Sequence, residues 1–250
     1  MKYKKLLLVF GIVIPMLIVA AYGLPIPLSD TGKAHSQAPE HSPVIDEYFN
    51  LDRVDFIHYA KPPSAAKPPK VATCYKLMGI SWKSLPVNYA INPSTQEGLE
   101  QDFVIAAMSG AAETWDNATL SRELFNDAYS INPTVTYGFD GTNAIVFGPY
   151  SDNNVIAVTS VWYDRRTRGI VEFDILFNEY YVWGAANMPG DQMDVQNIAT
   201  HELGHAIGLA DIYTDSCSDV TMYGYSWYEE TKKQTLETAD ITGLQSIYGN

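Results

Sequence analysis

The sequence predicts an α+β domain, a twisted sheet backed by two long helices with a third helix closing the chain. Three observations carry this. Residues 155–163 and 170–178 are strand-like runs separated by the turn-rich Asp164-Arg165-Arg166-Thr167-Arg168-Gly169. Residues 99–115, 195–207 and 239–248 repeat their apolar positions with a helical period. Strand-like and helical stretches follow one another with no internal repeat.

In chain order, Met1-Lys2-Tyr3-Lys4-Lys5 is basic and residues 6–24 are almost wholly apolar, with small residues Ala21 and Gly23 placed for cleavage. Residues 1–23 therefore read as a signal peptide or an N-terminal membrane anchor, and the remainder is expected to be secreted, or held at the membrane by residues 6–24. Residues 24–70 read as a proline-rich spacer or prosegment: Pro25, Pro27, Pro39 and Pro43 precede Lys61-Pro62-Pro63-Ser64-Ala65-Ala66-Lys67-Pro68-Pro69-Lys70. Within it, 44–59 has enough aromatic and apolar residues to form a helix or to dock, and His35, His41 and His58 are expected as solvated linker histidines.

Residues 71–250 have globular composition. Residues 82–91 read as a first strand ended by Asn92-Pro93. The helix at 99–115 presents Phe103, Ala106, Ala107, Ala111, Ala112 and Trp115 on its apolar side, and Gly110 permits close packing. Residues 134–137 and 144–147 read as strands around Asp140-Gly141-Thr142-Asn143. Asp194 caps the helix at 195–207, and Gly208 ends it. The last helix carries Ile241, Leu244 and Ile247 on one side.

A net charge of −13 leaves no basic patch for nucleic acid or for an anionic membrane surface; a monomer is expected. Membrane contact is confined to the N-terminal run. Cys74 and Cys217 are the only cysteines, and an exported context makes them a disulfide candidate. The alternative is that one of them is a thiolate ligand that keeps a precursor inactive. Asn117-Ala118-Thr119 is a glycosylation sequon.

The chemistry concentrates in His201-Glu202-Leu203-Gly204-His205-Ala206-Ile207-Gly208-Leu209-Ala210-Asp211. Histidines four apart share one helix face, the spacing that brings two imidazoles to one zinc ion, and the glutamate between them reaches its water. No other histidine follows the spacer, so a third protein ligand must be of another type. A left-handed turn at Gly208 would swing Asp211 back to the metal, and two histidines with one carboxylate make an established catalytic zinc site. Glu202 is then the candidate general base, taking a proton from the zinc-bound water and passing it to a leaving amine.

This motif, with a methionine downstream, resembles the metzincin clan of zinc endopeptidases, and the chain is most similar to its matrixins. The likeness runs over about residues 72–250, through 82–91, 111–115, Glu172-Phe173-Asp174-Ile175-Leu176-Phe177, Thr221-Met222-Tyr223-Gly224 and 240–249. The resemblance implies a mostly parallel sheet with an antiparallel edge strand. It also implies Met222 as the hydrophobic floor of the zinc site, and an extended peptide substrate along a sheet edge, for which 155–162 is the candidate. Tyr223 and Tyr225 would line the cleft or assist the oxyanion. Calcium, common in matrixins, would have Asp140, Asn143, Asp152, Asn153 and Asn154 as ligands.

The departures are specific. Asp211 stands where matrixins carry a third histidine, as in some other metzincin-like proteases such as snapalysins. A carboxylate there leaves the metal one positive charge poorer. Gly224-Tyr225 replaces the family's Pro-x-Tyr wall, and the acidic pair opening the last helix is reduced to Asp240. No cysteine-switch sequence precedes the core, since Cys74 lies in Thr-Cys-Tyr. The function implied is an exported zinc-dependent endopeptidase; the alternative is an extracellular zinc-binding surface protein without proteolytic activity.

Overall fold

The computed structural model describes residues 50–60 and 73–249. The expectations for the N-terminal apolar run, for His35 and His41, and for the proline-rich stretch at 61–70 lie outside the described residues. In chain order the elements are β1 (Leu51–Ala60), β2 (Ala90–Ile91), α1 (Gln101–Asp116), β3 (Ser130–Ile131), β4 (Ala144–Gly148), β5 (Val155–Asp164), β6 (Gly169–Asn178), β7 (Trp183–Gly184), β8 (Met193–Asp194), α2 (Val195–Ala206), β9 (Tyr225–Ser226) and α3 (Thr238–Tyr248).

The main sheet has the order β3-β2-β4-β6-β5-β1-β9; β7 and β8 form a separate pair. From β3 across to β6 the pairings are parallel. β5 then runs antiparallel to β6, and β1 antiparallel to β5. The α+β reading therefore holds, as a mixed sheet backed by helices. Its core lies between the sheet and the packed pair α1 and α2, with Trp115, Phe173, Ile175, Phe177 and Leu203 completely shielded. The Trp115 indole N–H donates to Thr200 O at 2.7 Å, which ties the two helices together where apolar packing alone would let them slide.

Sequence and structure differ at three strands. The expected strand at 82–91 shrinks to β2, because Pro86 lacks a backbone N–H for a ladder and Val87 makes only an isolated bridge to Phe125. Residues 134–137 form no strand. Val135 and Tyr137 instead lie over the outer face of the sheet against Ala90, Ala144, Val146 and Leu176. Buried acids of β6 anchor this cover from below. Asp174 accepts from the amides of Gly138 and Ala144 at 2.7 and 2.8 Å, and Glu172 from those of Asp140 and Gly141 at 2.8 and 2.6 Å.

The largest difference is β1. Residues expected to be spacer form a ten-residue strand, paired from Leu51↔Asp164 to Tyr59↔Val155. Val54, Phe56 and His58 are buried while the residues between them are partly exposed, the period of a strand with one face on a core. Hence 155–162 is no edge: β5 is covered by β1, which in turn pairs with β9.

Candidate active site

α2 begins where the Asp194 carboxylate accepts from Asn197 N at 2.8 Å, a side-chain cap on an otherwise unpaired amide. It ends at Ala206. Gly208 then takes φ +100°, and a side chain there would strike the Ile80 carbonyl. Past this turn Ala210 N donates to Lys76 O and Ile212 N to Met222 O, so the chain is held as it doubles back beneath the helix. Those bonds place Asp211.

His201 Nε2 and His205 Nε2 are 3.2 Å apart, and Asp211 Oδ1 lies 3.2 and 3.5 Å from them. Each histidine's Nδ1 donates to a main-chain carbonyl, His201 to Thr221 O at 2.7 Å and His205 to Leu209 O at 2.8 Å. When both rings are neutral, each Nε2 therefore presents a lone pair toward the carboxylate oxygen. That oxygen is buried without a hydrogen bond of good geometry. Three acceptors converging on one point are repulsive unless a cation sits among them. Ligand atoms about 2.05 Å from a tetrahedral zinc are about 3.3 Å apart, so the observed triangle fits. Burial pushes His201 down to about 3, which keeps its imidazole neutral. Burial raises Asp211, but the pull of His205 and His201 outweighs it and holds the carboxyl well below the usual range; burial lowers His205, yet Asp211 raises it on balance, so the triangle attracts a positive charge, whether a proton or a metal ion.

The other residues expected at the site lie as follows around this triangle. Met222 is buried, and a Cβ at Gly204 would meet its Sδ and the Trp115 ring well inside van der Waals contact. Asp240 accepts from the amides of Thr221 at 2.9 Å and Met222 at 3.1 Å, so one acid at the start of α3 secures the methionine turn. Cys74 and Cys217 form a disulfide. Tyr223 points its hydroxyl to Asp215, and Tyr225 packs on Tyr213. Asp140 and Asp152 accept from nearby amides, of Thr142 and Asn154, and none of the loop acids expected to hold calcium joins a metal-binding group among the described residues.

Glu202 is completely buried. Its Oε2 accepts from Thr159 Oγ1 at 2.5 Å and its Oε1 lies 3.0 Å from His58 Nδ1. Burial pushes its carboxyl up to about 7, with His205 and the Thr159 hydroxyl opposing. His58 overturns the expectation of a solvated linker histidine. Its ring lies over His201 with centroids 4.0 Å apart, and burial, then His201 and Lys233, hold it well below 6.5. Two residues away, Phe56 stacks flat on His205 at 4.1 Å and 12°.

Sequence reasoning also missed Tyr213, whose hydroxyl donates to Asp211 Oδ2 at 3.1 Å, and Lys233. The Lys233 Nζ is buried, donates to the carbonyls of Tyr223 and Tyr225, and lies 3.3 Å from His58 Nε2. Burial pushes this amine down to about 7, against the pull of Glu230 and Asp211. Only β1 carried a readable signal, the alternation Val54, Phe56, His58 between Arg53, Asp55 and Ile57.

Comparison with known proteins shows the family. The matrixin family model matches residues 81–249. Matrix metalloproteinase-16 of Homo sapiens is 27% identical over 186 residues, 70% of this chain and 28% of that protein; the same protein of Mus musculus matches equally. Metalloendoproteinase 4-MMP of Arabidopsis thaliana is 37% identical over 57 residues, 23% of this chain and 16% of that protein. The chain thus spans little more than a quarter of the length of the first of these relatives.

Proposed function

Because the chain belongs to the matrixin family, we propose that it is an exported zinc endopeptidase in which His201, His205 and Asp211 hold the metal and Glu202 is the general base. The observation that carries this is the triangle of two imidazole Nε2 atoms and one carboxylate oxygen, 3.2 to 3.5 Å on a side. Zinc bound there supplies a Lewis acid for the scissile carbonyl and for the attacking water.

The protein's own groups do the rest. Glu202, set between the two histidines on α2, is placed to take a proton from the water and return it to the leaving amine. Thr159 orients the carboxylate by donating to Oε2. Tyr213 orients Asp211 from its other oxygen. An extended peptide lies along β5 where β1 now lies, its backbone completing the ladder. Export is supported by the basic and apolar N-terminus and by the disulfide, which belongs to an oxidising compartment.

Glu202→Gln tests this reading against a zinc-binding surface protein without activity. It is made both in the unmodified chain and in one carrying Phe56→Ala and His58→Ala. We expect zinc content to be unchanged, and cleavage of an unstructured protein to fall by about 10²–10⁴-fold in the doubly substituted background. Equal cleavage with and without Glu202 would contradict the proposal.

A further inference from the structure

β1 is bound in the cleft in the manner the endopeptidase reading requires of a substrate. It forms an antiparallel ladder with β5. On its inner face Phe56 covers His205, and His58 covers His201 and reaches Glu202. On its outer face Asp55 accepts from Ser160 Oγ at 2.6 Å and from Arg53 Nε at 2.6 Å, and the Arg53 guanidinium sits over the Trp162 ring. A strand held on both faces and along its backbone is a fitted occupant.

The fit extends below His58. With Glu202 ionised, His58 Nδ1 donates to it, and Nε2 is left an acceptor. Lys233 Nζ, 3.3 Å away, faces that acceptor. In its protonated form Lys233 has three N–H groups; two carbonyls, those of Tyr223 and Tyr225, take two of them. The third is aimed at whatever side chain lodges beside Glu202. Lys233 is itself fixed, because its backbone N–H donates to Asn197 Oδ1 of α2 at 2.8 Å. Placing an aliphatic side chain there would leave a buried amine donor without a partner, an arrangement disfavoured by about tenfold or more.

We propose that residues 51–60 are an internal pseudosubstrate, and that Lys233 is the specificity-determining residue that reads the side chain an extended strand places beside Glu202, favouring one that ends in a hydrogen-bond acceptor. The consequence for substrates rests on the endopeptidase reading; the occupancy of the cleft does not. The favoured substrate class is an extended segment with a glutamine or glutamate side chain at that position, in preference to leucine.

Amide hydrogen exchange of residues 51–60 in the full chain tests both parts without needing metal or activity. His58→Leu should speed exchange across β1 about tenfold or more, and His58→Gln, which keeps an acceptor, about threefold. In a Lys233→Met background the Gln and Leu chains should exchange alike, the signature of a pairwise coupling. Gln and Leu exchanging alike with Lys233 in place would overturn the proposal, and that comparison needs no change at Lys233. So would a difference that survives Lys233→Met. A second readout links occupancy to the metal site. Acetohydroxamate should bind the cobalt-loaded His58→Leu chain about tenfold more tightly than the cobalt-loaded unmodified chain, because apparent affinity scales with the open fraction. Equal affinities would overturn the pseudosubstrate. A chain that takes up no cobalt would contradict the endopeptidase reading and leave the exchange result standing.

Discussion

Asp211 is the proposed third zinc ligand, and its neighbours are placed to support that role. Its Oδ1 faces the two Nε2 atoms while Tyr213 donates to its Oδ2. Outer hydrogen bonds of this kind fix a ligand's orientation, and their loss typically costs 10–100-fold in metal affinity. Tyr213→Phe should therefore weaken zinc binding by about that factor, measured by competition with a chelator, and leave the melting curve of the metal-free protein nearly unchanged. An affinity equal to that of the unmodified chain would remove Tyr213 from the site. His201, Glu202 and His205 were legible in the sequence because one helical pitch fixes their spacing. Asp211 was suggested by the glycine that marks the turn, whereas the supporting argument that no histidine was left to compete fails, because His58 lies buried against His201 and Glu202. Thr159, Tyr213 and Lys233 were not. Thr159 and Lys233 come from separate segments that meet only in the folded chain, and Tyr213 is an ordinary tyrosine until the turn brings its hydroxyl to Asp211.

At the scale of elements, α1, α2, α3, β5 and β6 fall within a few residues of their expected bounds, since each has a regular period and clear caps or turns. The errors have physical causes. Residues 134–137 carry strand-like side chains, yet they bury them by lying over the sheet. β1 was hidden by its surroundings, an alternating strand flanked by proline-rich sequence. The β6 acids are the least expected element feature, two carboxylates deep in a strand that would otherwise read as purely apolar. Burial pushes Asp174 up to about 8, against the amides of Gly138 and Ala144 that it accepts from. Asp174→Ala leaves those two amides without their acceptor and should destabilise the protein by about 2–4 kcal/mol, read from the urea midpoint. A change under about 0.5 kcal/mol would mean that solvent replaces the carboxylate.

For the molecule as a whole, fold and site support one another. The sheet supplies Thr159 beneath Glu202, α2 supplies the two histidines, and the turn at Gly208 supplies Asp211. The disulfide joins residues 143 apart and ties the stretch before the methionine turn to the start of the globular region. β1 lies against His201, Glu202 and His205 and pairs with the strand that carries Thr159. The central claim is that Asp211 is the third protein ligand of a zinc ion shared with His201 and His205. Zinc K-edge X-ray absorption on the zinc-loaded full chain tests it most directly. The account predicts nitrogen and oxygen neighbours only, at about 2.0–2.2 Å, with two imidazole signatures and one carboxylate oxygen that is lost in Asp211→Ala. A sulfur neighbour near about 2.3 Å, or a spectrum unchanged by Asp211→Ala, would contradict it.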